Sequence, residues 1–392
     1  MQSKNMPTEK YLLSYSYSHL HSSSGKRLKI LNKNFLKADG WKILTSCISL
    51  SEEKNVEQIP TWIDRSFKPI SYKNTSSKRS FKKFFLNFLW PDKGIFWAFK
   101  AAFRLFFRIR NSTEIFKLVT VSYPFSSHLV GAFIKFCYPS RVQLTTHYID
   151  GFYLINKGNG APKFLAPLSY LAEVFTYKMA NRIITNSSKI QDFDEKFPKY
   201  KPKCFPVDEL PGLYLTPQED SNSPSTGKCL FAGSLYKNIR NPFKVLELFG
   251  QLPEWHLKIA GNLNDCTEVL NHRHVEYIGF LNEESIVKEL GKADILINID
   301  NQDTQQQPPG KIIEYMQFQK PIINFFLKKS ISGPNLKKFS IDPSSYLEID
   351  LMDDLSLNLN KLRNFVSQKK QLFNVPNNFE YVYKLYNYET DL

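Results

Sequence analysis

Short apolar runs alternate along most of the chain with segments whose apolar residues recur every three or four positions. The first pattern is typical of buried parallel strands, and the second indicates amphipathic helices. In the first half we predict strands at 11–17, 41–46, 116–122, 141–146, 182–185 and 204–207. We predict helices there at 26–38, 80–89, 94–110, 127–136, 168–180 and 189–197. Residues 51–80 are polar and show neither pattern clearly.

A second alternating series follows residues 216–228, whose Ser, Pro and Gly content is typical of an interdomain linker. Asn241 and Asn282 are predicted to cap helices, the first with Pro242 at its first position. The series predicts strands at 229–232, 257–260, 275–278, 295–299 and 321–325, and further helices at 282–292 and 311–317.

Two consecutive series of this kind imply an α/β protein with two doubly wound, Rossmann-like parallel-sheet domains. We expect the first domain at 1–212, a linker at 213–228 and the second domain at 229–350. The segment 351–392 is predicted to be a helical tail that could cross back to the first domain.

Size and cysteine content fit a protein of a reducing compartment. The 392 residues are enough for two domains, each with its own core. The five cysteines are scattered and form no C-x-x-C pair, so neither a disulfide framework nor a zinc site is indicated. The first residues are too polar for a signal peptide, and no apolar run approaches the ~18 residues of a membrane-spanning helix. We therefore expect a cytoplasmic protein.

Positive charge concentrates in one block of the chain. The net charge is +15, and residues 78–110 hold nine basic residues against one acid, Asp92. A local block of this kind indicates a site, whereas uniform basicity would not. Nucleic acid is not expected as a partner, because no nucleic-acid-binding motif accompanies the charge.

The same block is rich in aromatic residues. Lys100, Arg104 and Arg108 recur every four residues and form one stripe on a predicted helix that is otherwise mainly apolar. The helix before it carries Lys82 and Lys83. Such helices can lie in a membrane interface with their cations on lipid phosphates. Alternatively, they pack in the first domain with their cations in solvent.

The stretch 293–323 contains the clearest candidate chemistry. It predicts a buried strand, a polar loop, a helix that begins at a Pro-Pro-Gly-Lys corner, and another buried strand. Helix starts at the carboxyl ends of parallel strands are where α/β proteins hold phosphorylated ligands. Lys311 at this start suits phosphate, and Glu314 suits a pair of hydroxyls, although an acid in a first turn can also simply complement the helix dipole.

The second half resembles the donor-binding domain of GT-B-fold glycosyltransferases, specifically their family-4-like retaining group of the bacterial surface-polysaccharide type. The matching segments are FAGSLYKNIRNP (231–242), LKIAG (257–261), VEYIGFL (275–281), ADILINI (293–299) and PPGKIIEYMQFQKPII (308–323). The first half resembles the group more loosely, through WPDKGIFW (90–97), LVTVSYPFSSHL (118–129) and THYIDGF (146–152). The resemblance implies two Rossmann-like domains that face a cleft.

The resemblance implies a donor-diphosphate site in the loop after the strand 229–232. Gly233 matches the family's glycine, and Arg240 matches its second basic residue. Ser234 stands where relatives often carry Arg, so Lys237 is a candidate substitute. Arginine suits a diphosphate because its planar fork binds two oxygens at once.

The resemblance also assigns residues to the nucleotide and to the sugar. Glu314 matches the acid that holds the donor ribose, and Gln306 stands where relatives often have a second acid, near the sugar. Pro309, Gly310 and Lys311 occupy the turn that faces the donor phosphates.

Two segments of the first domain are implied to face the donor. Relatives place a His or an Asp after the strand that ends near residue 146, and here His147 and Asp150 are the candidates for catalytic contacts with the sugar. A hydrogen-bonded loop histidine is the alternative for His147. Gly25, in the loop after the first strand, is expected to let the backbone approach the diphosphate.

We therefore expect a glycosyltransferase that moves a sugar from a nucleotide-diphosphate sugar to a glycan or lipid-linked acceptor, with retention, in surface polysaccharide biosynthesis. The resemblance implies front-face transfer without a cofactor or a metal ion. The expected location is cytoplasmic and peripheral, on the anionic inner face of the cell membrane. The alternatives are a GT-B-fold sugar-nucleotide epimerase and a non-enzymatic basic protein that binds membrane or nucleic acid.

Overall fold

The computed structural model of the protein describes residues 8–17, 23–46, 53–61, 89–122, 124–149, 165–187, 190–208, 210–212, 227–302, 311–365, 372–375 and 378–387. The chain forms two compact units: unit 1 is Met1–Gly212 with Asn377–Leu392, and unit 2 is Leu213–Pro376. Each unit has its own parallel sheet, which confirms the predicted α/β class with two doubly wound domains.

The strands are β1 Thr8–Leu13, β2 Lys42–Ser46, β3 Val56–Ile59, β4 Ile115–Ser122, β5 Val142–Tyr148, β6 Arg182–Asn186, β7 Cys204–Val207, β8 Lys228–Ala232, β9 His256–Ala260, β10 Val275–Gly279, β11 Ile295–Ile299, β12 Ile322–Phe326 and β13 Tyr346–Asp350. The helices are α1 Ser23–Leu31, α2 Ile95–Arg110, α3 Ser126–Cys137, α4 Ala166–Met179, α5 Ile190–Lys196, α6 Phe243–Gly250, α7 Glu283–Lys292, α8 Lys311–Met316, α9 Gly333–Phe339, α10 Leu355–Arg363 and α11 Asn378–Asn387. A π-helical turn, Asn32–Leu36, continues α1.

The sheet of unit 1 has seven parallel strands in the order β3-β2-β1-β4-β5-β6-β7. Successive side chains of a strand point to opposite faces, and β1 shows this directly. Tyr11 and Leu13 pack in a core with Trp97 of α2, whereas Leu12 packs in a second core with Trp41. Both faces of this sheet are therefore buried, as expected for a parallel sheet.

The sheet of unit 2 has six parallel strands in the order β10-β9-β8-β11-β12-β13. Cys229 and Phe231 of β8 face one core, and Leu230 and Ala232 face the other. Strand order reverses between β8 and β11, because β9 and β10 continue to one side and β12 and β13 to the other. Ligands of open α/β sheets bind at the carboxyl ends of the strands at such a reversal.

Several predicted elements differ from those observed. β1 spans Thr8–Leu13 rather than 11–17, because residues 14–17 turn away from the sheet. Helix α1 begins at Ser23, so Gly25 lies in its first turn rather than in a loop, which corrects the prediction. Strand β3 lies in the polar stretch 51–80, whose sequence shows neither pattern clearly. The predicted helix 80–89 falls almost wholly outside the described residues.

The C-terminal segment is divided between the two units. Leu359 and Leu362 of α10 lie in the core of unit 2. In α11, Phe379, Val382 and Tyr386 lie in the core of unit 1. None of the helices in the described ranges is long and apolar enough to cross a membrane.

Candidate functional site

Two loops meet closely at the carboxyl ends of β8 and β9. The backbone N–H of Gly233 donates to the carbonyl of Ala260 at 2.8 Å. Gly261 has φ +129°, and a Cβ placed on it would lie 2.1 Å from the carbonyl oxygen of Gly233. Only glycine fits this approach, because any side chain at 261 would overlap the facing backbone. The Gly233 turn is thereby held tightly against the loop after β9, beside the strand reversal.

Arg240 lies beside this turn. Its Nη2 donates to Oδ1 of Asn301 at 3.0 Å, and its Nη1 donates to the carbonyl of Ser234 at 3.3 Å. Burial lowers the pKa of the guanidinium, while the charges of Tyr315 and Asp300 act in the opposite direction. Arginine remains charged in either case. Its buried Nε has no hydrogen-bond partner among the described residues.

Helix α8 is fastened to the end of β8 by Tyr315. The phenol accepts from the backbone N–H of Ala232 at 2.8 Å and donates to the carbonyl of the same residue at 3.3 Å. Burial is the main reason that the pKa of Tyr315 is raised. Glu314, the residue before it, and Lys311, at the start of α8, are both half-buried. The two candidate nucleotide ligands thus belong to a helix anchored beside the Gly233 turn.

Asp300 and Asn301 were not predicted from the sequence. Asp300 is buried and accepts from the backbone N–H groups of Ile331 at 2.8 Å and Ser332 at 3.1 Å, which holds the start of α9. The next residue, Asn301, carries the contact to Arg240. One signal was present in the sequence: Asn298 and Asn324 interrupt the two apolar strands β11 and β12.

Those two asparagines pair directly in the sheet register. Asn298 donates through Nδ2 to Oδ1 of Asn324 at 2.6 Å and to Oδ1 of Asp300 at 3.0 Å. Buried polar groups need such partners, and a satisfied network holds its members in one arrangement. The network therefore gives Asp300, and with it the neighbouring Asn301, a defined position.

The remaining candidates of unit 2 are placed differently. The Lys237 ammonium pairs with Glu268 and lies 5.5 Å from the centre of the Phe243 ring. Its backbone N–H donates to Oδ1 of Asp265 at 3.0 Å. Ser234 contributes its carbonyl to Arg240. The candidates Gln306, Pro309 and Gly310 lie outside the described residues.

In unit 1, His147 lies inside β5, which extends to Tyr148, rather than in the loop after the strand. Its Nδ1 is 2.6 Å from the hydroxyl of Tyr386 on α11. Burial, with a smaller contribution from the charge of Arg27, lowers the pKa of His147 to about 3. The imidazole is therefore neutral at physiological pH. Asp150 lies outside the described residues.

His147 also lines a small concavity at the carboxyl ends of β5, β6 and β7. Arg27 of α1, Thr185, Asn186 and Asp208 line it as well. Gly25, two residues before Arg27, lies in the first turn of the same helix. This end of the sheet thus brings together a cation, a carboxylate and neutral polar groups, which suit sugar hydroxyls or phosphate.

The predicted cationic stripe lies along the side of α2 that faces the sheet edge. Lys100 donates to the carbonyl of Pro60 at 2.8 Å, and Arg104 pairs with Glu57 of β3. Arg108 pairs with Glu9 of β1 at 3.1 Å. Lys82 and Lys83 lie outside the described residues. Within the described ranges, no group of three or more His, Cys, Asp or Glu side chains could hold a metal ion.

No protein-family model matches the sequence, and no curated protein matches it. Solved structures do match over most of the chain. Sucrose-phosphate synthase from Thermosynechococcus elongatus has a TM-score of 0.59 and 14% identity, over 91% of this chain and 89% of that one. WaaG, a glycosyltransferase involved in lipopolysaccharide biosynthesis, has a TM-score of 0.56 and 11% identity, over 96% and 99%. UDP-GlcNAc 2-epimerase from Methanocaldococcus jannaschii has a TM-score of 0.53 and 8% identity, over 96% and 98%.

At these identities the likeness establishes the fold. The two parallel-sheet α/β domains match those of GT-B glycosyltransferases, and the same fold occurs in the epimerase. Membership of the family-4-like retaining group stays a prediction. So do the roles assigned to the individual site residues.

Proposed function

We propose that the chain is a GT-B glycosyltransferase of the family-4-like retaining group. It transfers a sugar from a nucleotide-diphosphate sugar to a glycan or lipid-linked acceptor in surface polysaccharide biosynthesis. The observation that carries the proposal is Arg240, which Asn301 and the Ser234 carbonyl hold beside the Gly233 turn at the strand reversal of unit 2. A fixed guanidinium at the carboxyl ends of parallel strands is suited to a diphosphate.

The nucleotide part of the donor is assigned to unit 2. Arg240 takes the diphosphate oxygens, assisted by Lys311. Glu314 accepts hydrogen bonds from the ribose hydroxyls, which a carboxylate does well because each oxygen accepts a separate donor. Tyr315 keeps Glu314 in place, since its hydroxyl is bonded to both backbone groups of Ala232.

The transfer step follows from this arrangement. The acceptor hydroxyl oxygen forms a bond to the anomeric carbon while the bond from that carbon to the donor phosphate oxygen breaks. The acceptor's proton passes to the departing phosphate, and the configuration is retained because attack occurs on the face that the phosphate leaves. Arg240 and Lys311 stabilise the charge that develops on the nucleoside diphosphate. We expect the reaction to need no metal ion and no cofactor.

The epimerase is the second candidate, because a solved epimerase shares the fold. Epimerisation at a sugar carbon requires groups that remove and return a proton. His147 is poorly suited to this, since burial lowers its pKa to about 3 and so makes it a weak base, and its Nδ1 is hydrogen-bonded to the Tyr386 hydroxyl. This observation favours transfer over epimerisation.

One experiment separates the two reactions. The purified protein is incubated with a panel of nucleotide sugars, and the products are followed by NMR. A transferase slowly releases nucleoside diphosphate by donor hydrolysis even without an acceptor. An epimerase instead inverts a ring carbon and so changes the sugar's coupling pattern, whereas donor hydrolysis leaves every carbon other than the anomeric one unchanged. Failure to bind or turn over any donor would refute both.

A variant then locates the donor. Glu314→Ala should weaken donor binding by well over tenfold, measured by calorimetry. The exposed Glu254→Ala is the matched control and should bind the donor normally. A donor that lacks both ribose hydroxyls should bind the wild type and Glu314→Ala equally weakly. Unchanged affinity in Glu314→Ala would remove Glu314 from the site.

A further inference from the structure

Large apolar side chains are exposed together on one side of unit 1. In the described part of the chain, 15 large hydrophobic residues are exposed, and 8 of them lie on α2, α3 and α4. On α2, Phe99 is 69% exposed and Phe103 is 68% exposed, and Phe107 continues the row at the same spacing of four residues. Residues spaced by four lie on one side of a helix, so these rings form a ridge.

The neighbouring helices continue this surface. Helix α3 packs between α2 and α4. It exposes Phe133 and Phe136, and the Phe136 ring centre lies 6.4 Å from that of Phe175 on α4. On α4, Leu168 and Leu171 are exposed as well. We call these seven residues the aromatic face: Phe99, Phe103, Phe107, Phe133, Phe136, Leu168 and Leu171.

Packing of unit 1 does not explain the aromatic face. Helix α2 already buries Trp97, Ala101, Leu105 and Ile109 against the sheet, and these lie on the opposite side from Phe103. Monomeric soluble proteins rarely expose a contiguous apolar surface of this kind unless it contacts a partner or a membrane.

The charge of these helices distinguishes between two possible partners of the aromatic face, a second copy of the chain and an anionic membrane. The three helices carry six basic residues and one acid, Glu173. Glu173 is fully buried and accepts from the Tyr177 hydroxyl at 2.7 Å. The residues of α2, α3 and α4 themselves therefore present cations and aromatic rings without a carboxylate, and the carboxylates that pair with Arg104 and Arg108 belong to β3 and β1. A second copy of the same face would bring like charges together, whereas an anionic bilayer complements them.

We propose that the aromatic face docks into the interface of an anionic membrane. The phenylalanine rings enter the boundary between headgroups and acyl chains. The cations along α2 approach lipid phosphates at the margin of the aromatic face. They include Arg110, which is exposed, and Arg104, which is exposed although it pairs with Glu57. This assignment moves the main contact from the predicted cationic stripe to the phenylalanine ridge beside it.

The inference adds a membrane location to the lipid-linked acceptor of the proposed function and does not rest on sugar transfer. Vesicle binding can be measured without any donor, and donor hydrolysis can be measured without vesicles. Failure of one measurement therefore leaves the other interpretable.

The test is co-sedimentation with vesicles of phosphatidylcholine alone and with ~30% phosphatidylglycerol. We expect salt-sensitive binding to the anionic vesicles and much weaker binding to the neutral ones. The double variant Phe99→Ser/Phe103→Ser should bind about tenfold or more weakly, because it removes two inserting rings. The control Leu270→Ser/Phe280→Ser changes two similarly exposed residues of unit 2 and should bind like the wild type.

A second readout reports insertion itself. Phe103→Trp should show a blue-shifted emission with anionic vesicles and quenching by brominated acyl chains, whereas Phe280→Trp should show neither change. Equal vesicle binding by the two double variants would overturn the proposal, as would no binding by the wild type at low salt. A concentration-dependent dimer of the wild type that Phe99→Ser/Phe103→Ser abolishes would instead assign the face to a second copy.

Discussion

Arg240 donates through Nη2 to Oδ1 of Asn301 at 3.0 Å, although 61 positions separate the two residues in the chain. The contact joins the loop after β8 to the second residue after β11. A second contact joins the same loops, because the N–H of Gln302 donates to the carbonyl of Ile239 at 2.7 Å. The guanidinium is therefore fixed in position before a ligand arrives, which limits the entropy cost of binding.

We predict that Arg240→Met lowers donor affinity about a hundredfold. Hydrogen bonds to a charged partner contribute roughly 1.5–3 kcal/mol each, and about 2.7 kcal/mol corresponds to a hundredfold change. Arg240→Lys should recover little of this loss, because an ammonium cannot present a planar fork. Calorimetric titration with the best donor of the panel measures the effect.

The matched control is Lys258→Met. Lys258 is another cation of unit 2, but it pairs with Glu276 and Glu289 on β10 and α7. The donor affinity of Lys258→Met should equal that of the wild type. Equal affinities for Arg240→Met and Lys258→Met would show that Arg240 does not contact the donor.

Gly261→Ala is expected to disturb the Gly233 turn. The new Cβ would overlap the Gly233 carbonyl, and a φ of +129° is itself strained for alanine by about 1–3 kcal/mol. Donor affinity and thermal stability should both fall. Gly291→Ala in α7 is the control, since a Cβ there meets nothing within 4 Å. Alanine is the better helix former, so that variant should be neutral or slightly stabilised. A melting temperature for Gly261→Ala equal to that of the control would contradict the prediction.

Most of the strands could be predicted because a buried parallel strand needs a continuous apolar run. Local chemistry also predicted the start of α7, where Asn282 accepts from the N–H of Ser285 at 2.8 Å. Strand β3 has no such run. Among the described strands it pairs only with β2, at one end of the strand order, and it is mostly half-buried, so its sequence remains polar.

Contacts between distant parts of the chain could not be predicted. His147 was expected in a loop, but β5 continues through it, and its partner Tyr386 is 239 positions away. No local pattern indicates such a pairing. The same applies to Asn301. Nothing in the sequence around it indicates a site, and only the fold brings Arg240 beside its amide. The prediction that Gly25 lies in a loop was wrong for a different reason. Helix α1 begins three residues earlier than the apolar spacing of the helix indicates.

Unit 1 should lose stability in acid through its buried histidines. The pKa of His147 and that of His128 are both lowered to about 3, chiefly by burial. In the unfolded chain a histidine has a pKa of about 6.5. Between these two pKa values the unfolded state binds more protons than the folded state does. The contribution of the two neutral histidines to the free energy of unfolding is therefore fully present above pH ~6.5 and decreases as the pH falls toward 3.

His147→Gln should remove one of these contributions. The free energy of unfolding would then depend less steeply on pH, by up to about 1.4 kcal/mol per pH unit between pH 6 and 4. Urea unfolding across this range gives the slope. The exposed His256→Gln is the control. An unaltered slope in His147→Gln would mean that His147 is not held neutral in the folded state.

The last helix, α11, should depend on two cations of the sheet that it covers. Arg182 donates through Nη1 to the carbonyl of Leu385 at 3.0 Å, and the Lys117 ammonium donates to the carbonyl of Asn387 at 3.1 Å. Both cations are buried, and both contact the carboxyl end of the helix, where carbonyls lack intrahelical partners.

Arg182→Met should therefore loosen α11 without unfolding the sheet. The lost bond is worth about 1.5–3 kcal/mol, so amide hydrogen exchange in residues 378–387 should accelerate by more than about tenfold. Amides of β8 and β11 in unit 2 serve as internal references. Lys384→Met, which removes only an exposed pair with Glu380, should leave exchange in α11 nearly unchanged. Equal protection in the two variants would show that Arg182 does not anchor the helix.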